Sequence, residues 1–181
     1  MKLASRLPEV GTTIFTIMSK MALEHGAINL SQGFPDFPVD HVLVDLIHTR
    51  MREGFNQYAP MPGAPALRQI IATVIDQTYN RRTDPETEIT VTAGGTEALF
   101  SVIASLVHPG DEVIVFDPAY DSYNPAIRLN GGVPVHINLR YPDFSIDWDL
   151  VKSKITPRTR MIMVNTPHNP SGAVLSADDL K

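Results

Sequence analysis

The chain has 181 residues, 43% hydrophobic and 19% charged, with a net charge of −5 and no cysteine. That composition fits a soluble globular protein of one sizeable domain, or one domain plus part of another. The acidic balance argues against a nucleic-acid partner. The lack of cysteine rules out disulfides and thiolate metal sites.

The N-terminus, "MKLASRLPEVGTTIF", has no long apolar run, so no secretory leader is expected. No stretch approaches the length of a membrane span. A short helix is predicted around Phe15 to Glu24, where Ile14, Ile17, Met18 and Met21 recur at helical spacing. "INLSQGFPDFP" reads as a short extended piece ending in a proline-rich loop. Val39 to Glu53 fits a helix, "GFNQYAPMPG" a loop, and Ala64 to Arg81 a strong amphipathic helix.

From there strands and helices alternate. "EITVTA" reads as a strand and "GGTEALFSVIASLV" as a glycine turn opening a helix. "HPGDEVIVFDP" gives a second strand, "AYDSYNPAIRLNGG" a helix and "VPVHINL" a third strand. "DWDLVKSKI" is a short helix capped by Asp147, and "TRMIMVN" a fourth strand. "SADDLK" opens one more helix, capped by Ser176. This order predicts an α/β fold: a mostly parallel sheet with helices on both faces, preceded by an N-terminal arm. Asp111 and Glu112 read as the solvated start of a strand.

Ligands of such sheets sit beyond the carboxyl ends of the strands. Three loops fall there. In "TAGGTEAL", the free N–H groups of a helix's first turn and the Thr96 hydroxyl suit a phosphate, or the glycines only make a turn. In "DPAYDSY", Tyr120 and Tyr123 either stack on a flat ring or pack on the sheet edge. In "NTPHNPSG", Asn169 either braces its own turn or points an amide into the site. Together they describe a site for a flat, phosphorylated, hydroxyl-bearing ring. Pyridoxal phosphate fits better than a nucleotide, although Asp117 stands where a ribose partner would. The six histidines lack metal spacing, and no metal site is expected.

Five motifs, "SQGFPDFP", "NQYAPMPG", "TAGGTEALF", "GDEVIVFDPAYDSY" and "NTPHNPSG", occur in the order and spacing of the fold-type I (class I/II) pyridoxal-phosphate aminotransferases. The chain resembles that family from about Leu7 onward. It looks closest to the methionine aminotransferase branch, beside the kynurenine and glutamine aminotransferases. The resemblance implies roles. Gly95 and Thr96 match the positions that hold the cofactor phosphate, Tyr120 the aromatic stacked on the pyridine ring, and Asn169 the amide on its phenolic oxygen. Tyr58 matches a tyrosine reaching the phosphate of a partner subunit, which implies a homodimer. Gly33 matches the backbone position that meets the substrate carboxylate. Phe15 falls where a bulky residue covers the substrate side chain.

The implied reaction moves an amino group from a methionine-like or aromatic amino acid to a 2-oxo acid, in the cytoplasm. A cysteine-conjugate β-lyase of the same fold and a non-catalytic ligand-binding half-domain are the alternatives. In the family, the Schiff-base lysine follows the asparagine motif. The expectation is therefore an N-terminal portion without a catalytic residue of its own, inactive alone. Residues 1–38 would be the arm and part of the small domain, and 39–181 the start of the large cofactor domain. The resemblance also implies a strand order that inserts later strands between the first and fourth strands, and between the fourth and second.

Overall fold

A computed structural model of the chain describes residues 4–33 and 35–181. The chain divides into two compact units, Gly11–Thr92 and Met1–Val10 with Ala93–Lys181. Each is described by itself.

The Gly11–Thr92 unit is helical. Helix α1 spans Ile14–Glu24, and the Thr13 hydroxyl caps it by accepting the Thr16 N–H. Helix α2 spans His41–Arg52, with the Asp40 carboxylate accepting the Val42 N–H at 2.8 Å. These are the side chains that satisfy orphan donors at a helix start. Helix α3 spans Pro65–Tyr79. Pro65 costs no hydrogen bond in the first turn, and Asn80 ends the helix in the left-handed conformation. Arg68 of α3 is only 3% exposed. Its guanidinium donates to the carbonyls of Gly63 and Pro85 and to both Glu86 oxygens. That pins the turn before α3 to the segment after it.

The other unit carries the sheet. Helix α4 (Gly95–Leu106) is followed by β1 (Glu112–Asp117), α5 (Tyr123–Leu129), β2 (Val133–Asn138), α6 (Trp148–Lys154) and β3 (Thr159–Met163). The three strands lie in the order β2-β1-β3 and all pair in parallel. Strand β1 is central, and its period-2 alternation feeds two cores. Val113 and Val115 pack with Ile103 and Val107 beside Ala126 and Ile127 of α5. Ile114 and Phe116 pack with Ile137, Ile146 and Val151 on the opposite face. Helices therefore cover both faces, as the alternating pattern predicts. Each such side chain taken from water contributes roughly 1.5–3 kcal/mol. Residues 4–10 belong to this unit: Arg6 donates to the Leu129 carbonyl and Glu9 pairs with Arg128. The Asp147 cap on α6 forms as expected, accepting the Leu150 N–H at 3.0 Å.

Four expectations need correction. "EITVTA" is not a strand. A strand exists only where a neighbour completes its ladder, and the Val91 N–H goes instead to the Pro62 carbonyl. "SADDLK" makes the capping hydrogen bonds between Ser176 and Asp179 but remains a turn. Its Lys181 N–H reaches Asp178 in an i→i+3 bond, without the i→i+4 bond of a helix. No strand separates β3 from β1, which pair directly, Val113 with Met161 and Val115 with Met163. Glu112 is buried, not solvated, because Thr156 and Arg158 both donate to its carboxylate.

Candidate functional site

The carboxyl ends of β1 and β3 lie side by side because the strands are parallel neighbours. The loop after β3 braces itself. The Asn165 side-chain oxygen accepts the Asn169 N–H at 2.8 Å, and the Thr166 hydroxyl accepts the Leu175 N–H at 3.0 Å. The His168 N–H donates to the Ala173 carbonyl at 2.8 Å, and the Gly172 N–H returns to the His168 carbonyl at 2.7 Å. Gly172 takes φ +75°, a conformation that glycine adopts without cost. Bracing thus falls to Asn165. The Asn169 side chain is exposed and makes no hydrogen bond among the described residues. Its amide is available to a ligand.

The loop after β1 carries two half-buried tyrosines. The rings of Tyr120 and Tyr123 meet edge-to-face, 5.7 Å apart at 74°. Burial, and then the neighbouring Tyr120, push the Tyr123 hydroxyl pKa above its ordinary value. Asp117, at the end of β1, accepts a 2.8 Å hydrogen bond from His136 Nδ1 of β2. The two segments come together, since Tyr123 of one and His168 of the other line the same cavity. Between them lies a cavity of about 20 Å³, room for one water, lined by Phe116, Tyr123, Met163, Asn165, His168 and Leu175 among others.

Helix α4 presents its N-terminus at an open glycine turn. Gly94 is the N-cap at φ +94°, and a Cβ added at Gly94 or Gly95 would meet nothing within 4 Å. Gly95 and Thr96 are exposed. The Glu97 carboxylate accepts the Ala93 N–H at 2.5 Å. The backbone N–H groups of a first turn and a hydroxyl are the donor set for an anion.

The remaining predicted residues belong to the Gly11–Thr92 unit. Phe15 lies on α1, 38% exposed, Tyr58 is fully exposed, and Gly33 sits in open backbone. Sequence reasoning passed over Asn165. The available signal was the four-residue spacing of the two asparagines, which suits a side-chain brace across a turn. Among the described residues no cluster of acidic or histidine side chains suits a metal ion, and no helix is long and apolar enough to cross a membrane.

A parallel sheet with a self-braced asparagine loop beside an aromatic loop is a specific arrangement. The family model "Aminotransferase class I and II" matches residues 25–181. The chain belongs to the class I and II aminotransferase family. A methionine aminotransferase of Escherichia coli K12 is 50% identical over 175 residues, spanning 97% of this chain and 45% of that protein. A probable N-succinyldiaminopimelate aminotransferase of Mycobacterium tuberculosis is 43% identical, over 97% and 45%. A mouse kynurenine–oxoglutarate transaminase is 36% identical, over 99% and 42%. Among solved structures, an E. coli methionine aminotransferase superposes with a TM-score of 0.95 at 49% identity, covering 99% of this chain and 47% of that one. The chain thus spans a little under half the length of the curated aminotransferases it matches.

Proposed function

We propose that this chain forms the cofactor-binding portion of a pyridoxal-phosphate-dependent aminotransferase. The protein would transfer an amino group from a methionine-like or aromatic amino acid to a 2-oxo acid. The observation that carries this reading is the Asn165 brace, which frees the Asn169 amide at the strand ends where the Tyr120 loop also lies. The donor set fits the cofactor: a helix N-terminus for a phosphate, an aromatic ring for a flat ring, and an amide for a phenolic oxygen. When bound, pyridoxal phosphate supplies the electron sink that stabilises negative charge at the substrate α-carbon.

The chain's own residues bind and orient. Gly95 and Thr96 would hold the phosphate, Tyr120 would cover the ring face, and Asn169 would donate to the phenolic oxygen. Tyr58 would serve the phosphate of a second copy, making the protein a homodimer. Gly33 and Phe15 would contact the substrate carboxylate and side chain. Residues 39–181 would open the large cofactor domain, after an arm and part of the small domain in 1–38. A cysteine-free soluble composition supports a cytoplasmic setting.

The lysines at Lys20, Lys152 and Lys181 all pair with acids on exposed surface. Lys154 lies at the exposed end of α6, and Lys2 lies outside the described residues. None of the described lysines lines the cavity between the two loops. Incubating the chain with methionine or phenylalanine, a 2-oxo acid and pyridoxal phosphate is therefore expected to give no turnover. Formation of a new 2-oxo acid would overturn that assignment of the chain's role. With a cysteine S-conjugate, which carries a leaving group on its β-carbon, in place of methionine, release of the thiol together with ammonia and pyruvate would favour β-elimination instead.

A further inference from the structure

We propose that Asn130–Gly131 is a spontaneous deamidation site that the folded turn between α5 and β2 holds silent. Of the chain's asparagines, only Asn130 is followed by glycine. The chemistry needs no cofactor and no partner. The Gly131 backbone nitrogen loses its proton and bonds to Asn130 Cγ, and the side-chain nitrogen leaves as ammonia. Water then opens the five-membered imide at either carbonyl, giving aspartate or isoaspartate. Glycine hinders this ring closure least, because it has no Cβ and ranges freely in φ and ψ.

The folded turn opposes each requirement of that reaction. Asn130 caps the carboxyl end of α5 with φ −89° and ψ 6°. A ψ that small eclipses the Gly131 nitrogen with Asn130's own nitrogen and turns it away from Cβ, so the ring cannot close. The leaving amide is tethered, since Asn130 Nδ2 donates to the Ala126 carbonyl at 2.8 Å. The attacking nitrogen is tethered as well, since the Gly131 N–H donates to the Arg128 carbonyl at 3.0 Å. The Gly131 carbonyl accepts the Gly110 N–H at 2.9 Å. Gly131 takes φ +81°, and a Cβ there would meet Pro109 at 3.0 Å. The fold thus requires the very glycine that makes Asn130 labile once the turn opens.

The same turn makes the product consequential. Both products replace the amide that donates to the Ala126 carbonyl with a carboxylate. That negative charge stands at the carboxyl end of α5, where the helix dipole disfavours it. Isoaspartate also adds a methylene to the backbone beside Gly132, where a Cβ would already lie 2.6 Å from Val107. A chain that opens long enough to react therefore cannot close the turn as before.

The test incubates the full chain in warm, mildly alkaline buffer, with and without guanidinium chloride, and follows it by mass spectrometry. Tryptic cleavage after Arg128 and Arg140 releases residues 129–140, which hold Asn130 and, as an internal control, Asn138. Asn130 should convert to aspartate and isoaspartate in denaturant. In the folded chain the conversion should be at least about tenfold slower, because the turn must open first. Asn138, which leucine follows, should lag behind Asn130 in denaturant. Gly131→Ala, compared in denaturant so that folding plays no part, should slow the conversion. Asn130→Asp should lower the urea midpoint of unfolding. Equal rates with and without denaturant would overturn the proposal. So would Asn138 reacting as fast as Asn130, a Gly131→Ala chain as reactive as wild type, or an Asn130→Asp chain as stable.

Discussion

The side-chain oxygen of Asn165 accepts the backbone N–H of Asn169 at 2.8 Å, so the first asparagine of "NTPHNP" holds the second in place. Asn165→Ala removes that acceptor from a half-buried turn. The expected cost is about 1 kcal/mol of unfolding free energy, read by urea denaturation. Asn165→Asp keeps the acceptor and should stay closer to wild type. Equal losses from both would mean that the hydrogen bond does not brace the turn.

Two carboxylates at the start of β1 set a pH dependence. The Thr156 hydroxyl and then the Arg158 guanidinium hold Glu112 below its ordinary value, against the opposing effect of burial. The His108 N–H, together with Arg160, does the same for Asp111. Both groups bind protons less readily folded than unfolded. Their stabilisation is complete above the unfolded carboxylate range of roughly pH 4 to 4.5 and is lost as pH falls through the lower folded values. Thermal unfolding followed from pH 7 to pH 3 should show that acid loss. Glu112→Gln should be less stable at pH 7 and should show a shallower acid limb. An unchanged limb would remove Glu112 from the account.

Gly132 separates α5 from β2 in tight quarters. A Cβ there would lie 2.6 Å from Val107 and 2.9 Å from Ile127, two buried core residues. Gly132→Ala should destabilise the protein by about 1–3 kcal/mol through overpacking. Gly11→Ala, where a Cβ meets nothing within 4 Å, is the control and should unfold like wild type. A neutral Gly132→Ala result would mean that the core gives way at that point.

Arg68 predicts a different failure. Arg68→Met keeps much of the buried length but leaves the Gly63 and Pro85 carbonyls without their donor. The expected loss is roughly 1.5–3 kcal/mol, and Arg68→Lys should recover only part of it, because an ammonium cannot reproduce the planar fork. Limited proteolysis should then cut first near residues 60–63. Resistance there would show that the turn is held by other contacts.

Local chemistry was the legible part of this fold. The run "EVIVFD" declares a buried central strand because β1 is covered on both faces. Asp147 announces its helix because its cap is made within three residues. "EITVTA" has the same β-branched character, yet a strand depends on a partner that the segment itself does not name. Direct pairing of β3 with β1 was hidden for the same reason. Glu112 looked solvated because Arg158 is remote in sequence. At the site, Tyr120, Asn169 and the glycine turn were readable as residue types. The cavity that brings Tyr123 and His168 together joins positions remote in sequence and became visible only with the fold.

Binding of pyridoxal phosphate by wild-type chain and by Thr96→Val, Tyr120→Ala and Asn169→Ala, followed by the cofactor's absorbance, tests the central claim most directly. The account predicts saturable binding that dialysis reverses and that each substitution weakens, with pyridoxal lacking the phosphate binding poorly and losing nothing further on Thr96→Val. Absent binding, binding indifferent to all three substitutions, or a lysine adduct that survives dialysis would contradict it.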